Sequence, residues 1–294
     1  MREVFKGSEA LAQGALTRGQ LRWRYRRIHR DIYLPQSARP SLNDNIYAAW
    51  LWSGRNGVIA GRAAAAMHGA RWVDDFAPVD LIGRFNHAPP GIVIRRERIA
   101  ADEVVELNGL SVTTAARTAL DLGRHLPTRM AVAHLDALAR TTSLTVEDVA
   151  PLLKRYGGAR GVRFCRMALS LMDAGAQSPR ETWLRLLFID NGLPRPTTQI
   201  HVVDTDGFEA YLDMGWEDVM VAAEYDGGQH LSDRAQYVGD IGRAERVEQL
   251  GWIDIKVVAE HRPQFILKRV RDAFERRKSA EIAAKAVILR RPRP

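Results

Sequence analysis

Hydrophobic and polar positions change rhythm several times along this chain, and the changes divide it. Apolar residues at helical spacing predict helices over Leu42–Trp52, Arg62–His68, Ala115–Leu122, Met130–Arg140, Val146–Arg155 and Gly161–Met172. Short apolar runs among them predict strands at Val79–Ile82, Ile92–Arg96, Val104–Leu107 and Leu110–Val112, with Pro89-Pro90 marking a loop. Upstream, the pattern gives a short helix from Ser8, a turn at Gly14 and a second helix opening at Thr17, where Gln20 completes capping-box spacing. A strand pair follows, Ile28-His29 and Ile32-Tyr33-Leu34, turning through Arg30-Asp31. Asp173–Gln177 reads as a hinge. Beyond it the expected order is α-β-β-β-α-β-α: a helix from Ser178, strands Thr198–Val203, Phe208–Met214 and Val219–Asp226, a helix Ser232–Leu250, a strand Trp252–Val258 and a helix Gln264–Lys278. The expectation is an α/β protein with segments 1–40, 41–173 and 174–294.

The stretch Val219–His230, VMVAAEYDGGQH, carries the most chemistry. Strand side chains alternate, so Met220, Ala222, Glu224 and Asp226 share one face. Two neighbouring carboxylates at the end of a buried strand repel each other and lose hydration. A divalent cation offsets both costs; an exposed strand end with arginine partners is the alternative. On the preceding strand Glu209, Tyr211 and Asp213 share a face. A plain hairpin would set Glu209 across from Glu224 and leave Asp213 roughly 13 Å along the strand. A bend near Met214-Gly215 is therefore required if Asp213 and Glu224 are to meet. Ser178-Pro-Arg-Glu181 opens its helix with serine as N-cap and proline at the first position, so Glu181 also has a capping role open to it.

Composition narrows the partners. The 294 residues carry a formal net charge of +8, and 46% are hydrophobic, enough for real cores. A basic surplus of that size points to a polyanion, either nucleic acid or an anionic surface. Arg18, Arg22, Arg24, Arg26, Arg27 and Arg30 crowd the second predicted helix and the turn after it, with Trp23 and Tyr25 interleaved. A basic second helix after a tight turn fits a helix-turn-helix reading DNA in the major groove, with the strand pair as its wing; a solvated basic helix is the alternative. Cys165 stands alone, which excludes an internal disulfide, and its apolar neighbours predict a core thiol. No cysteine and histidine cluster has zinc spacing, and no apolar run reaches the ~18 residues of a membrane span. The expected location is the cytoplasm.

Two family resemblances follow from longer patterns. SPRETWLR, then YLDMGWEDVMVAAEYDGGQH, then DIGRAERVEQLGWIDIKVV, spread over Gln177–Arg277, resemble the restriction-endonuclease-like or PD-(D/E)XK superfamily, in the branch similar to the very-short-patch-repair endonuclease. ALTRGQLR and RRIHRDIYLP, followed by GVIAGRAAAAMHG, resemble the winged-helix end of the AbiEi-type antitoxin family, which usually has glycine where this chain has Asp31. The first resemblance implies that Asp213 and Glu224 bind Mg2+ (or Mn2+) at a DNA phosphate, with Glu181 and Asp226 beside them. The superfamily's lysine, two positions after the glutamate, is Asp226 here. His230 is then the candidate base or leaving-group acid, and Lys256 a second source of positive charge. Arg243 is a candidate phosphate contact. Capping of the helix at Ser232 by His230, and pairing of Arg243 with Asp240 or Glu245, are the structural alternatives. The implied function is a metal-dependent DNA endonuclease. A non-catalytic DNA-binding regulator of antitoxin type stands against it, as does a protein-interaction module. DNA is the expected partner and a membrane is not; a partner toxin and a homodimer stay open.

Overall fold

A computed structural model describes residues 4–227 and 234–289, with side chains described outside 234–238 and 281–289. Mixed sheets and helices make this an α/β protein, and its contacts divide into two units, Met1–Ala174 and Gly175–Pro294.

The first unit begins with β1 (Phe5–Lys6), α1 (Gly7–Ala12), α2 (Arg18–Arg24), β2 (Tyr25–His29) and β3 (Ile32–Pro35). The Thr17–Gln20 capping box forms in full and starts α2. That helix ends after seven residues because Tyr25–His29 pairs with β3 instead, which places Arg26 and Arg27 on a strand and Arg30 in the turn. Asp31 takes the left-handed turn position at φ 63°, and its carboxylate accepts hydrogen bonds from the Ser8 backbone N–H and hydroxyl. Local polar bonding of this kind lets aspartate hold a conformation that usually favours glycine. The strands form a small sheet ordered β1-β3-β2. Ile32 and Leu34 of β3, with Val4 just before β1, share a core with Ala48 and Leu51 of α3 (Leu42–Trp52).

Next come β4 (Val58–Ala60), α4 (Gly61–Met67), β5 (Val79–Ile82), β6 (Ile92–Arg95), β7 (Val104–Leu107) and β8 (Leu110–Thr113). They build a five-stranded sheet ordered β6-β5-β4-β8-β7, in which β4 is the middle strand. Helices α5 (Ala115–His125), α6 (Thr128–Thr142), α7 (Val146–Arg155) and α8 (Val162–Ser170) follow. Helices α5 and α8 approach so closely that a Cβ on Gly123 would lie 2.6 Å from Cys165 Sγ. Cys165 is fully buried there, and burial pushes its thiol up to about 12, as suits a packing role.

The second unit runs α9 (Pro179–Asp190), β9 (Thr197–Val203), β10 (Glu209–Trp216), β11 (Val221–Tyr225), α10 (Arg234–Gln249), β12 (Ile253–Val257) and α11 (Pro263–Leu289). The sheet order is β12-β11-β10-β9; β9, β10 and β11 are antiparallel, and β12 runs parallel to β11. Helix α11 continues well past the expected Lys278, because SAEIAAKAVIL is rich in strong helix formers and contains no breaker. Leu184, Leu187 and Phe188 of α9 and Ile266, Val270 and Ala273 of α11 pack with Met214, Ala223 and Ile255. Ala222, Leu212 and Ile200 instead join Val247 of α10 in a second cluster.

Candidate functional site

The β10–β11 hairpin sets the geometry. Strand β10 extends to Trp216, and the turn occupies residues 217–220, ending on Met220 at φ 51°. The register pairs Met214 with Ala223 and Gly215 with Ala222, so the next pair along is Asp213 with Glu224. The plain hairpin expected from the sequence, with Glu209 across from Glu224, is thus replaced by one whose turn lies two residues later. Gly215 is needed at this crossing: a Cβ there would come within 2.5 Å of Val221 O and 3.0 Å of Ala222 Cα. An irregularity also falls where the chemistry is. On the other side of β10 the ladder with β9 pairs Leu212–Ile200 and Met214–Thr198 but skips Asp213 and Gln199, and Gln199 sits at φ 52°. Leu212 then packs in one cluster and Met214 in the other, so strict alternation breaks at Asp213.

Asp213 accepts a hydrogen bond from the Tyr225 backbone N–H at 2.8 Å. Burial, with the field of Glu181 added, pushes its carboxyl up to about 6. Glu224 is buried and held by two cations. Arg243 of α10 donates to both its oxygens, at 2.9 and 2.5 Å, and to Tyr211 O at 2.6 Å. Lys256, directly across the parallel β11–β12 pairing, donates to Glu224 Oε2. Arg243 therefore pairs with neither Asp240 nor Glu245, and its guanidinium reaches into the candidate site.

One acid went unread in the sequence. Asp254 lies on the same strand face as Lys256 and is ion-paired to it, Oδ2 to Nζ at 2.9 Å. Burial pushes it up to about 6 against the pull of Arg243, and Asp213 adds to the rise. Burial also lowers Lys256 from the usual lysine range. The signal was present: IDIKV alternates, and its two charges fall on one face.

The remaining expected residues are spread around this core. Glu181, in the first turn of α9, donates its backbone N–H to Ser178 Oγ at 3.1 Å, and its Oε2 accepts from Gln177 N at 2.7 Å. It does close the helix end, reaching one residue further back than an ordinary capping box. Asp226 is exposed just past β11, where its backbone N–H donates to Val257 O. His230 and Ser232 lie outside the described residues. Glu181, Asp213 and Glu224 do not bring three ligand oxygens within 4.8 Å of one another; among the described residues the group that meets this measure is Glu97, Asp121 and His125, in the first unit. Arginines already hold its two carboxylates: Arg124 bonds Glu97 at 2.7 Å and Arg117 bonds Asp121 at 3.0 Å.

The N-terminal arginines also separate by position. Arg18, Arg22 and Arg24 are exposed on α2 beside Trp23, which is 77% exposed, while Leu21 anchors the helix inward. Arg26 is spent differently, with Nη2 donating to Ala38 O at 2.7 Å. Arg27 and Arg30 are exposed on the strand and its turn. Among the described residues no helix is long and apolar enough to cross a membrane.

No protein-family model matches the chain. It is similar to two curated proteins of Mycobacterium tuberculosis, uncharacterized protein MT2308 (strain CDC 1551 / Oshkosh) and uncharacterized protein Rv2248 (strain ATCC 25618 / H37Rv). Each is 27% identical over 234 residues, which is 80% of this chain and 85% of the relative. That span is longer than either unit alone, so the similarity takes in residues of both.

Proposed function

We propose that the second unit is a metal-dependent DNA endonuclease of the restriction-endonuclease-like kind. The observation that carries this reading is the register that sets Asp213 beside Glu224, with Lys256 against the same glutamate. Largely buried carboxylates raised to about 6 at Asp213 and Asp254, the latter facing Lys256, are hard oxygen donors of the kind a divalent cation takes. Asp213 and Glu224 would hold Mg2+ or Mn2+, with Glu181 and Asp254 near. Bound there, such an ion polarises a phosphate oxygen and lowers the pKa of its water.

The protein's own part is electrostatic. Lys256, held against Glu224, would supply the positive charge that Asp226 cannot. Lys256 Nζ and the Arg243 guanidinium bring positive charge to the edge where a phosphate's charge grows during hydrolysis. Lowered by burial, Lys256 is also suited to giving a proton to the departing oxygen. His230 stays a candidate for the same proton on sequence grounds. The basic α2 and the wing would bring duplex DNA to the enzyme through salt-sensitive phosphate contacts.

One observation favours a second reading. Glu224 has both oxygens engaged by Arg243 and Lys256, and a site neutralised this way can stand without a cation. On that reading the protein is a DNA-binding regulator with an inactive nuclease fold. Supercoiled plasmid nicking with Mg2+ or Mn2+ separates the two. Wild type is expected to nick, Asp213→Ala and Glu224→Ala to lose about 10^3-fold in rate, and Lys256→Ala about 10- to 100-fold. An uncleaved plasmid with either metal, alongside tight and sequence-selective DNA binding, would favour the regulator.

A further inference from the structure

The middle of the first unit carries a charged surface that the nuclease reading does not use. Three depressions adjoin one another there. One is lined by Arg27 through Arg30 of the wing; a second shares Arg30 and continues to Arg84, Phe85 and Asn86. The third shares Arg84, Phe85 and Asn86 and continues to Arg96 and Arg98. Shared walls make them one trough, with volumes of about 500, 680 and 960 Å3 along it. It is far too large and open for a small ligand to fill.

The charges along it are unevenly satisfied. Arg27, Arg30, Arg84 and Arg98 are exposed, and among the described residues none of their guanidinium groups meets a carboxylate. The two acids in the walls are engaged elsewhere: Asp31 accepts from Ser8, and Glu97 is held by Arg124 and His125. Arg96 donates to Phe85 O at 2.8 Å, which ties down the loop that carries Arg84. Phe85 packs on Trp52 with ring centroids 5.6 Å apart, so the floor between the arginines is firm.

We propose that this trough is a track for the phosphate backbone of duplex DNA, extending the contact from the wing across the edge of the five-stranded sheet. Unpaired guanidinium groups spaced along a concave path match a regularly charged polymer, and each fork fits a phosphate bidentately. A membrane surface would instead need a protruding basic face with apolar residues to insert, whereas these cations line a hollow. The track takes its choice of polymer from the DNA reading above but is independent of cleavage. It predicts contacts that position the duplex without reading bases.

Binding of the full chain to a fluorescein-labelled duplex, followed by anisotropy in EDTA across a salt series, tests it apart from catalysis. Arg84→Ala/Arg98→Ala is expected to bind about 10- to 100-fold more weakly near 0.1 M salt, equally for unrelated sequences. Its log K against log salt slope should fall by about 2. Arg163→Ala, exposed on α8 and outside the trough, should change neither quantity. Circular dichroism melts check folding, and Arg84→Lys/Arg98→Lys, which keeps the charge, should retain the slope. Unaltered affinity and slope in the folded alanine pair would overturn the proposal. So would wild type that binds phosphatidylserine vesicles but not DNA. Plasmid nicking failing while these slopes change would remove the nuclease reading and leave the track standing.

Discussion

In the first unit Arg117 is fully buried and bonds Glu103 and Asp121, with its guanidinium 4.9 Å over the Tyr156 ring. In the second, Asp254 is largely buried and meets one cation, Lys256, at 2.9 Å. Both units hide charge, but they settle it differently. Around Arg117 the acids are over-supplied with donors: Arg155 and Tyr156 also bond Glu103, and Arg124 bonds Glu97. Burial alone would raise Glu97, yet hydrogen bonds from His125 and Arg124 bring it down to about 2. Asp121 is the exception, pushed up to about 6 by burial despite Arg117. Around Glu224 two cations crowd one carboxylate, while Asp213 accepts from a backbone N–H and Asp254 shares Lys256. The first arrangement ties α5 and α7 to the segment before β7; the second leaves Asp213 and Asp254 raised to about 6.

The largest effect that would test this contrast is Arg117→Ala. Removing the shared cation strands buried carboxylates and should cost about 3–5 kcal/mol in urea unfolding. A loss under 1 kcal/mol would mean that the network is ornamental and the contrast false.

The second test uses pH. Asp213 goes from an ordinary 3.8 to about 6 on folding. The folded state therefore holds the proton more tightly, and stability falls as pH rises from about 4 through about 6, by at most about 3 kcal/mol. Glu97 runs the other way, adding stability that is lost as pH drops from 4.5 toward about 2. Asp213→Asn should remove the decline between pH 4 and 7 that belongs to Asp213 together with the part of the Asp254 rise that Asp213 causes, read as the difference from wild type in EDTA, where the Asp121 contribution cancels. Added Mg2+ should flatten the wild-type curve and leave the variant's unchanged. A variant with the wild-type slope would show that Asp213 is already neutralised. The smallest effect sharpens the first unit: Tyr156→Phe removes a hydroxyl that both donates to Glu103 and accepts from Arg117, and should cost about 1 kcal/mol.

Much of this fold is legible in the sequence where the cause is local. The capping box at Thr17, the helices Leu42–Trp52 and Val146–Arg155, and the strand Val79–Ile82 all stand where spacing puts them. The central β4 is not legible, because Val58-Ile59-Ala60 is three residues between glycines, too short for any period to register. Arg117 and Asp121, four residues apart on α5, form the local pair that i, i+4 spacing allows. What makes the pair matter is Glu103 and Tyr156, and no spacing rule links partners 14 and 39 residues away. The second unit shows the same division. Which face Glu224 occupies follows from alternation, but what it faces depends on where the chain turns. Placing that turn at residues 215–218 instead of 217–220 moved the apparent partner from Asp213 to Glu209.

Gly215 gives that register a further meaning. Backbone atoms of β11 fill the space that any larger residue there would need. The gap between the two carboxylates is thus clamped by a position that carries no chemistry, like the fixed pivot of a pair of tweezers. Lys256, Arg243 and Asp254 come to that place as side chains that can be exchanged one at a time. Respacing the jaws would require rebuilding the whole loop at once.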